Sequence, residues 1–413
     1  MTEARRLKGH KATATCCISS RDRPGLVATS AEDGCVCWFD MRCKDVQFVM
    51  EVSNEPISSL CFNSGNENVI YVSTGKEVKC FDVHMLSENS WKPLESYNYN
   101  KEEINQVTCN SKSSFLASAD DGGEIKIIDI RQQCVFKTLR NGHTSVSLLF
   151  KALAILYCPS AYNGMNVLVT SYHHDLEWED HGEMICSSVQ FIPWRPWEVI
   201  TGGLDTKLIT WDFSKGRPSK IVDLGLPDMS SASKAGQCFN PAFVHSIKVP
   251  DVDMLDKLGK ICVVARGDGV IDVIDMESEL ASIRPKSSTK SRTGIHSASK
   301  CSLPAEGGVA DEYGRKWFHL DYSIGGHTAA ASCVAFSLFG ERGKFLVSGG
   351  NDKLVKVWDC SRCLDPGQTG NNELLHLNIN LSKKVNWLCT TPAESDNLVV
   401  CDTTKVVKVY TVS

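Results

Sequence analysis

Apolar and polar residues alternate along most of this chain in short segments that end at turns rich in Asp and Gly. A recurring unit has an apolar segment, a tight turn and a second alternating segment that closes on an aromatic or aliphatic residue plus Asp. Alternation over about four to eight residues predicts β-strands. Seven copies can be counted, ending at Asp40, Asp82, Asp129, Asp212, Asp275, Asp359 and, in eroded form, Val409-Tyr410.

The most complete copy lies between residues 326 and 359. It has Gly326-His327 before its first strand and Trp358-Asp359 at the end of its third, which is the signature of a WD repeat with a period of about 40 residues. A single four-stranded sheet cannot bury both faces alone, so the sheets must pack around an axis. The sequence therefore predicts an all-β fold, a single seven-bladed WD40 β-propeller over residues 1–413.

The two ends of the chain complement each other. The segment Arg6-Leu7-Lys8 is similar to a fourth strand, whereas the last copy stops after its third strand. We expect the strand near Leu7 to pair with residues 406–412 and close the ring, because an open array would leave exposed sheet edges.

Two copies carry polar residues that are spaced to form a hydrogen-bonded network within a blade. They are His327, Ser348, Asp352 and Trp358 in blade six, and Thr201, Asp205 and Trp211 in blade four. Ser, His and Asp together also make a hydrolase triad. Because the set recurs once per blade and no oxyanion-hole turn accompanies it, we interpret it as structural.

Some intervals between the Asp residues that end successive copies are too long for one repeat. Residues 147–184 are interpreted as an insertion in blade four, between Gly142-His143 and the strand near Ile185. Residues 284–312 are rich in Ser and basic side chains, which predicts a flexible loop between the third and fourth strands of blade five. The basic residues of this loop are Arg284, Lys286, Lys290, Arg292 and Lys300. They either are simply solvated or act as a nuclear-import signal or a contact for an acidic partner.

The segment 147–184 has three interpretations that the sequence leaves open. It is a true insertion, a degenerate eighth blade or translated intron, and the short spacing from Asp175 to Trp178 disfavours the eighth blade. Its His- and acid-rich run at 173–181 offers metal-ligating side chains, but a zinc site also needs fixed geometry and supporting hydrogen bonds. We predict no metal site and no cofactor.

Composition and charge narrow the class of function. The chain has 44 Lys plus Arg and 49 Asp plus Glu, a net charge of -5, so it has no basic field for nucleic acid. No apolar run approaches the roughly 20 residues of a membrane-spanning helix, and residues 1–10 lack the apolar core of a secretory signal. Phosphate-loop, nucleophile-elbow and zinc-protease motifs are absent from the sequence. We expect a non-enzymatic, monomeric, protein-binding propeller in the cytoplasm and/or nucleus.

Several runs in the chain resemble the WD repeat-containing protein 53 family, in order and over most of the sequence. They are EEIN at 102–105, FLASADDGGEIKIID at 115–129, NPAFVHSI at 240–247 and KVNWL at 384–388. The segment 147–184 departs from the family pattern. The resemblance implies a propeller scaffold that is a candidate substrate receptor in ubiquitination, because this family is grouped with proteins that bind the adaptor of cullin-4 ubiquitin ligases.

The adaptor contact implied by this resemblance depends on a short box of small residues, an Asp, an aromatic-Asp pair and an Arg two places later. The matching residues are Asp33, Phe39, Asp40 and Arg42 in blade one and, at the end of the box only, Asp129 and Arg131 in blade three. Trp38 stands where an aliphatic residue is usual. Because the box overlaps the ordinary repeat, the alternative is a scaffold of a chromatin or trafficking complex unrelated to ubiquitin ligases.

Overall fold

Seven four-stranded antiparallel sheets make up the described part of this computed structural model. The structure describes residues 4–43, 45–83, 92–112, 114–143, 185–225, 238, 240–277, 317–360 and 374–412. Short helical turns lie at Val252–Met254, Leu255–Leu258 and Tyr322–Ile324. The predicted seven-bladed β-propeller is thereby confirmed.

Strands are numbered in chain order, and each blade is given from its first strand outward. Blade one contains β2 Ala14–Ser19, β3 Leu26–Ala31, β4 Cys35–Asp40 and β5 Val46–Glu51. Blade two contains β6 Ile57–Asn63, β7 Asn66–Thr74, β8 Glu77–Asp82 and β9 Glu95–Tyr97. Blade three contains β10 Ile104–Cys109, β11 Phe115–Asp120, β12 Ile125–Asp129 and β13 Cys134–Leu139.

The remaining blades follow the same order. Blade four contains β14 Cys186–Phe191, β15 Glu198–Gly203, β16 Lys207–Asp212 and β17 Arg217–Asp223. Blade five contains β18 Val244–Lys248, β19 Ile261–Arg266, β20 Ile271–Asp275 and β21 Trp317–Leu320. Blade six contains β22 Ala331–Phe336, β23 Phe345–Gly350, β24 Leu354–Asp359 and β25 Leu375–Asn380. Blade seven contains β26 Val385–Thr390, β27 Leu398–Asp402, β28 Val407–Tyr410 and, as its outer strand, β1 Arg5–Leu7.

The core lies between neighbouring sheets rather than inside any one of them. First strands contact the first strands of the adjacent blades, so they surround the axis. Val36 and Trp38 of β4 pack against Ile57 and Val72 of the next blade. Because each middle strand is covered on both faces, β4 is buried from Cys35 to Phe39, and its sequence is a continuous apolar run rather than an alternating one.

The ring closes through the N-terminal strand. β1 pairs antiparallel with β28, with Leu7 opposite Val407, and the Leu7 side chain is 1% exposed. The Arg5 guanidinium forms an ion pair with Asp396 at 2.9 Å and donates to the main-chain carbonyl of Met41. One strand therefore completes blade seven and also fastens it to blade one.

The two faces of the ring carry different connections. Because successive strands in a blade are antiparallel, the turns from first to second strand and from third to fourth strand lie on one face, here called the lower face. The strand ends that flank residues 278–316 lie on the lower face. His143 and Ile185, which flank residues 144–184, lie on the opposite face, here called the upper face. The predicted insertion 147–184 and the predicted loop 284–312 lie outside the described residues, and the sheets on both sides of them are complete.

Deleting residues 1–8 should destabilise the whole propeller, because it removes the buried Leu7 and opens the edge of β28. We expect the free energy of unfolding to fall by at least roughly 2 kcal/mol, the lower end for losing a buried Leu side chain. Chemical denaturation of the full chain and the truncated chain measures this. Arg6→Ala, an exposed position on the same strand, is the control and should change stability by less than about 0.5 kcal/mol. Equal stability of the truncated and full chains would contradict closure by β1.

Candidate functional site

Blade six contains a complete buried network of four side chains. His327 Nδ1 lies 3.0 Å from Asp352 Oδ1, and His327 Nε2 lies 2.8 Å from Ser348 Oγ. Trp358 Nε1 donates to the same Ser348 oxygen at 3.0 Å. His327, Ser348 and Trp358 are at most 1% exposed. The network therefore joins the loop before β22 to the third strand and is shielded from solvent.

Blade four contains the same network, with a histidine that sequence analysis placed only in a turn. His143 Nδ1 lies 2.9 Å from Asp205 Oδ1, and its Nε2 lies 3.0 Å from Thr201 Oγ1. Trp211 Nε1 donates to Thr201 Oγ1 at 2.9 Å. A Cβ on Gly142 would lie 2.2 Å from the Trp211 ring, so only glycine fits there. His143 thus occupies the same structural position as His327, although residues 144–184 separate it from its blade.

Blades one and three keep only part of this network. His10 contacts Thr29 at 2.8 Å and Asp33 at 3.3 Å, but Phe39 stands where Trp358 stands in blade six and has no N–H to donate. In blade three an asparagine replaces the histidine: Asn100 Nδ2 donates to Asp120 at 3.0 Å, and Asn100 Oδ1 accepts from Ser118 Oγ at 2.8 Å. Blades one and three therefore each keep a polar bridge from the turn to the second strand, through His10 and Asn100 respectively.

In blade six, the Asp of the network is held ionised by its hydrogen bonds. Burial raises the pKa of Asp352, but donation from His327 and from the backbone N–H groups of Thr328 and Leu354 outweighs burial. Its pKa therefore lies below the ordinary value. A carboxylate whose pKa is lowered by folding stabilises the folded state above its unfolded pKa of about 3.9, and loses this effect as the pH falls through the folded value.

Each blade also has a β-bulge at the start of its first strand. The register between first and second strands shifts after the first residue in all seven blades. A bulged residue has no partner in the ladder, so its side chain can turn elsewhere. The bulged residues are Thr15, Ser58, Asn105, Ser187, His245, Ser332 and Asn386.

Six bulged residues donate to the first carbonyl of the next first strand, in a circle that we call the bulge belt. The bonds are Thr15 to Ile57 at 2.6 Å, Ser58 to Ile104, Asn105 to Cys186 at 3.2 Å, Ser187 to Val244, Ser332 to Val385 at 2.7 Å and Asn386 to Ala14 at 2.9 Å. His245 makes no such bond within the described ranges, and burial lowers the pKa of its imidazole. The belt was not predicted from the sequence, although an apolar residue followed by Ser, Thr, Asn or His opens every first strand.

On the lower face, Arg42 is the exposed member of the candidate adaptor box. Its side chain is 81% exposed and its Nε and Nη2 donate to the two oxygens of Asp40, at 2.9 Å and 2.6 Å. This guanidinium holds the pKa of the Asp40 carboxyl below its usual range. Its end-on edge, formed by Nη1 and the second Nη2 hydrogen, has donors left for another group.

The other box residues have different surroundings. Asp33 accepts from the Lys11 backbone at 2.6 Å and contacts His10, and Phe39 is 1% exposed, so both lie within blade one. Asp129 accepts from the Arg131 backbone at 2.9 Å, and Arg131 is exposed. Arg42 and Arg131 follow the third strands of blades one and three, so both lie on the lower face.

Two family models match parts of the chain. The WD domain, G-beta repeat model matches residues 1–40 and 319–359, which include most of blade one and the network of blade six up to Trp358. The NUP159/214 beta propeller model matches residues 40–166. With its seven sheets and repeated networks, the chain is a WD-repeat β-propeller, a class of protein-interaction scaffold.

Individual relatives extend this assignment. The chain is 23% identical to the WD repeat-containing protein 53 homolog of Dictyostelium discoideum, over 98% of this chain and 94% of that protein. The resemblance inferred from the sequence is thus confirmed. Among solved structures the chain is similar to the WD40 beta propeller domain of Doa1, with a TM-score of 0.61 and 12% identity over 100% of this chain and 98% of that one. That likeness shows the fold.

Metal-ligating clusters and membrane-spanning helices are absent from the part of the chain that the structure covers. Its His, Cys, Asp and Glu side chains form no group of three or more placed to hold a metal ion. Its helices are all too short to cross a bilayer. The His-rich run at 173–181 lies outside the described residues.

Asp352→Ala should destabilise the propeller, because His327 and two backbone N–H groups lose their acceptor. We expect a loss of about 1–3 kcal/mol at neutral pH. Denaturation curves measured from pH 7 to pH 3 should show the difference from wild type shrinking below about pH 4, because the carboxylate becomes protonated first in the unfolded chain and then, at its lowered pKa, in the folded protein. Asp45→Ala, at an exposed position, is the control. An unchanged stability of Asp352→Ala would contradict the structural role.

Proposed function

We propose that this WD-repeat scaffold, without catalysing a reaction itself, is a substrate receptor that docks on the adaptor of a cullin-4 ubiquitin ligase through Arg42. The observation that carries the proposal is the Arg42 side chain, 81% exposed at the end of the third strand of blade one. It stands in the box that the family resemblance implies for adaptor binding. The proposal includes a monomeric propeller in the cytoplasm, the nucleus or both, with proteins rather than nucleic acid or membrane as partners.

The pairing with Asp40 determines how Arg42 can recognise a partner. Asp40 occupies the side-on edge of the guanidinium and fixes its orientation. The end-on edge can still donate two hydrogen bonds to a carboxylate or to main-chain carbonyls. Because Asp40 neutralises part of the charge, we expect recognition by directional hydrogen bonds at short range rather than by long-range attraction.

Burial within the blade limits the remaining box residues to a supporting role. Asp33 holds the turn after β3 and Phe39 packs in the core between blades one and seven. Phe39 cannot contact an adaptor without unfolding the blade, and the Asp33 carboxylate is already held by His10 and by the backbone N–H groups of Lys11 and Cys35. The box is therefore a frame that presents Asp40 and Arg42, which explains why it overlaps so closely with the ordinary repeat.

Arg42→Ala should weaken adaptor docking while leaving the fold intact. An interface Arg that becomes desolvated is often a hot spot, so we expect affinity for the purified cullin-4 adaptor to fall at least about tenfold. Biolayer interferometry measures the affinity, and thermal unfolding should give the wild-type melting temperature because the side chain is exposed. Asp40→Asn should weaken binding to a lesser degree, since it only loosens the orientation of Arg42.

Arg131→Ala is the matched control, because it follows the third strand of blade three on the same face but lies in an incomplete box. It should change adaptor affinity by less than about threefold. If wild type does not bind the adaptor, the ligase role is wrong, and the alternative becomes a scaffold of a chromatin or trafficking complex. If Arg42→Ala binds as well as wild type, the docking site is wrong.

A further inference from the structure

An exposed aromatic patch lies on the lower face where blades three and four meet. Its base is Phe213, fully buried, with ring centroids 5.4 Å from Phe115 and 5.5 Å from Trp197. Phe136 lies 5.1 Å from Phe115 and 6.1 Å from Trp197. Trp197 is 47% exposed and Phe136 39% exposed. Large apolar side chains scattered singly are normal at a surface, but a contiguous patch marks an interaction site.

A groove adjoins this patch. Its volume is about 320 Å³, and its walls are the first-to-second-strand connections of the two blades, with Ser111, Lys112 and Phe115 on one side and Pro193, Pro196 and Trp197 on the other. This volume is at the lower end of the range for ligand pockets, about 300–1,000 Å³. Proline and tryptophan walls are stiff, so an occupant costs little ordering of the protein.

The shape and chemistry of the walls favour an extended peptide. Grooves lined by aromatic side chains bind proline-containing segments, whose extended conformation is already formed in solution. The Phe115 and Trp197 rings contact each other, with centroids 5.9 Å apart, so together they form one continuous apolar surface in the groove. Pro193 and Pro196 have no backbone N–H to leave unpaired when the groove is dehydrated.

The charged side chains around the groove indicate which charge a bound peptide should carry. The lining contains two cations and no carboxylate. Arg195 is held by Glu198 at 2.9 Å and by the Met276 carbonyl at 3.3 Å. Lys112 is exposed, and its ammonium has no ion pair within the described ranges. The unpaired charge at the rim is therefore positive, which complements an acidic residue beside the apolar segment.

We propose that this aromatic groove docks a short extended peptide of a partner protein, with apolar residues including proline that are flanked by acidic residues. Trp197 and Phe115 supply the apolar contact, and Lys112 pairs with the acidic flank. The site goes beyond the proposed adaptor contact, since it uses blades three and four, whereas Arg42 belongs to blade one.

The probes are fluorescein-labelled octapeptides with two acidic residues at each end and a central Leu-Pro-Pro-Leu, Val-Pro-Pro-Val or Phe-Pro-Pro-Phe. Fluorescence anisotropy with the full chain should show saturable binding of at least one peptide, with a Kd of about 1 mM or tighter. Replacing the central four residues by Ser should abolish binding, and replacing the acidic residues by Lys should weaken it.

Variants then locate the site. Trp197→Ala should weaken binding at least about tenfold, as expected for an aromatic hot spot. Lys112→Glu should weaken binding of the acidic peptides and improve binding of the Lys-flanked ones. Ile221→Ala, 53% exposed on β17 and outside the groove, should bind as wild type does, and so should Arg42→Ala.

Three results would overturn the proposal. One is the absence of saturable binding by all three peptides at 1 mM, which is a free energy of about -4 kcal/mol. Another is equal affinity of Trp197→Ala and Ile221→Ala. The third is equal binding of the peptides with a central Ser run, which would mean that charge alone attracts them. Arg42→Ala leaves the groove intact, so a failure of the groove proposal can be distinguished from a failure of the adaptor proposal.

Discussion

Six of the seven blades are tied to the next blade by one residue that has no partner in the strand ladder. In these blades the bulge after the first residue of the first strand turns a short polar side chain toward the neighbouring blade, where it donates to the carbonyl of the first residue of that blade's first strand. A buried carbonyl without a donor costs roughly 1–3 kcal/mol, so each bond both satisfies a group and fixes the distance between two blades. The link from Asn386 to Ala14 crosses the seam where the chain ends meet, and β1 strengthens the same seam at the outer rim.

This inner belt explains how the ring tolerates long connections. The first strands are fixed near the axis by their neighbours, and the histidine networks fix the turn before a blade to its second and third strands. His143 is held by Thr201 and Asp205 of blade four, so the chain is anchored before residue 144 begins. Past those residues, Cys186 opens β14 and receives the belt bond from Asn105. Both anchors are independent of the residues between them.

The sequence predicted the parts of the structure that depend on repeated side-chain types. The network of blade six follows from His327 and Trp358, because their spacing is that of a complete repeat. The bulge belt was not predicted, since a bulge depends on the backbone register and Ser or Asn at one position is compatible with a loop or an exposed strand. Likewise Arg42 was expected to meet a partner, but its pairing with Asp40 depends on a side-chain conformation that spacing does not determine. The aromatic groove joins Phe115 and Trp197, which are far apart in the chain and become neighbours only when blades three and four pack together.

The lower face brings unrelated side chains together because the antiparallel order repeats in every blade. Arg42 follows a third strand, whereas Trp197 lies between a first and a second strand, yet both connections open on the same side of the ring. Blade two separates blade one from blades three and four, so an adaptor at Arg42 and a peptide in the aromatic groove would occupy different sectors of one face. A scaffold that holds two partners on one face fixes their separation by the rigid angle between blades rather than by a flexible linker. The apolar cores between neighbouring sheets and the bulge belt together hold that angle, so the packing of the ring controls the geometry of whatever assembles on its surface.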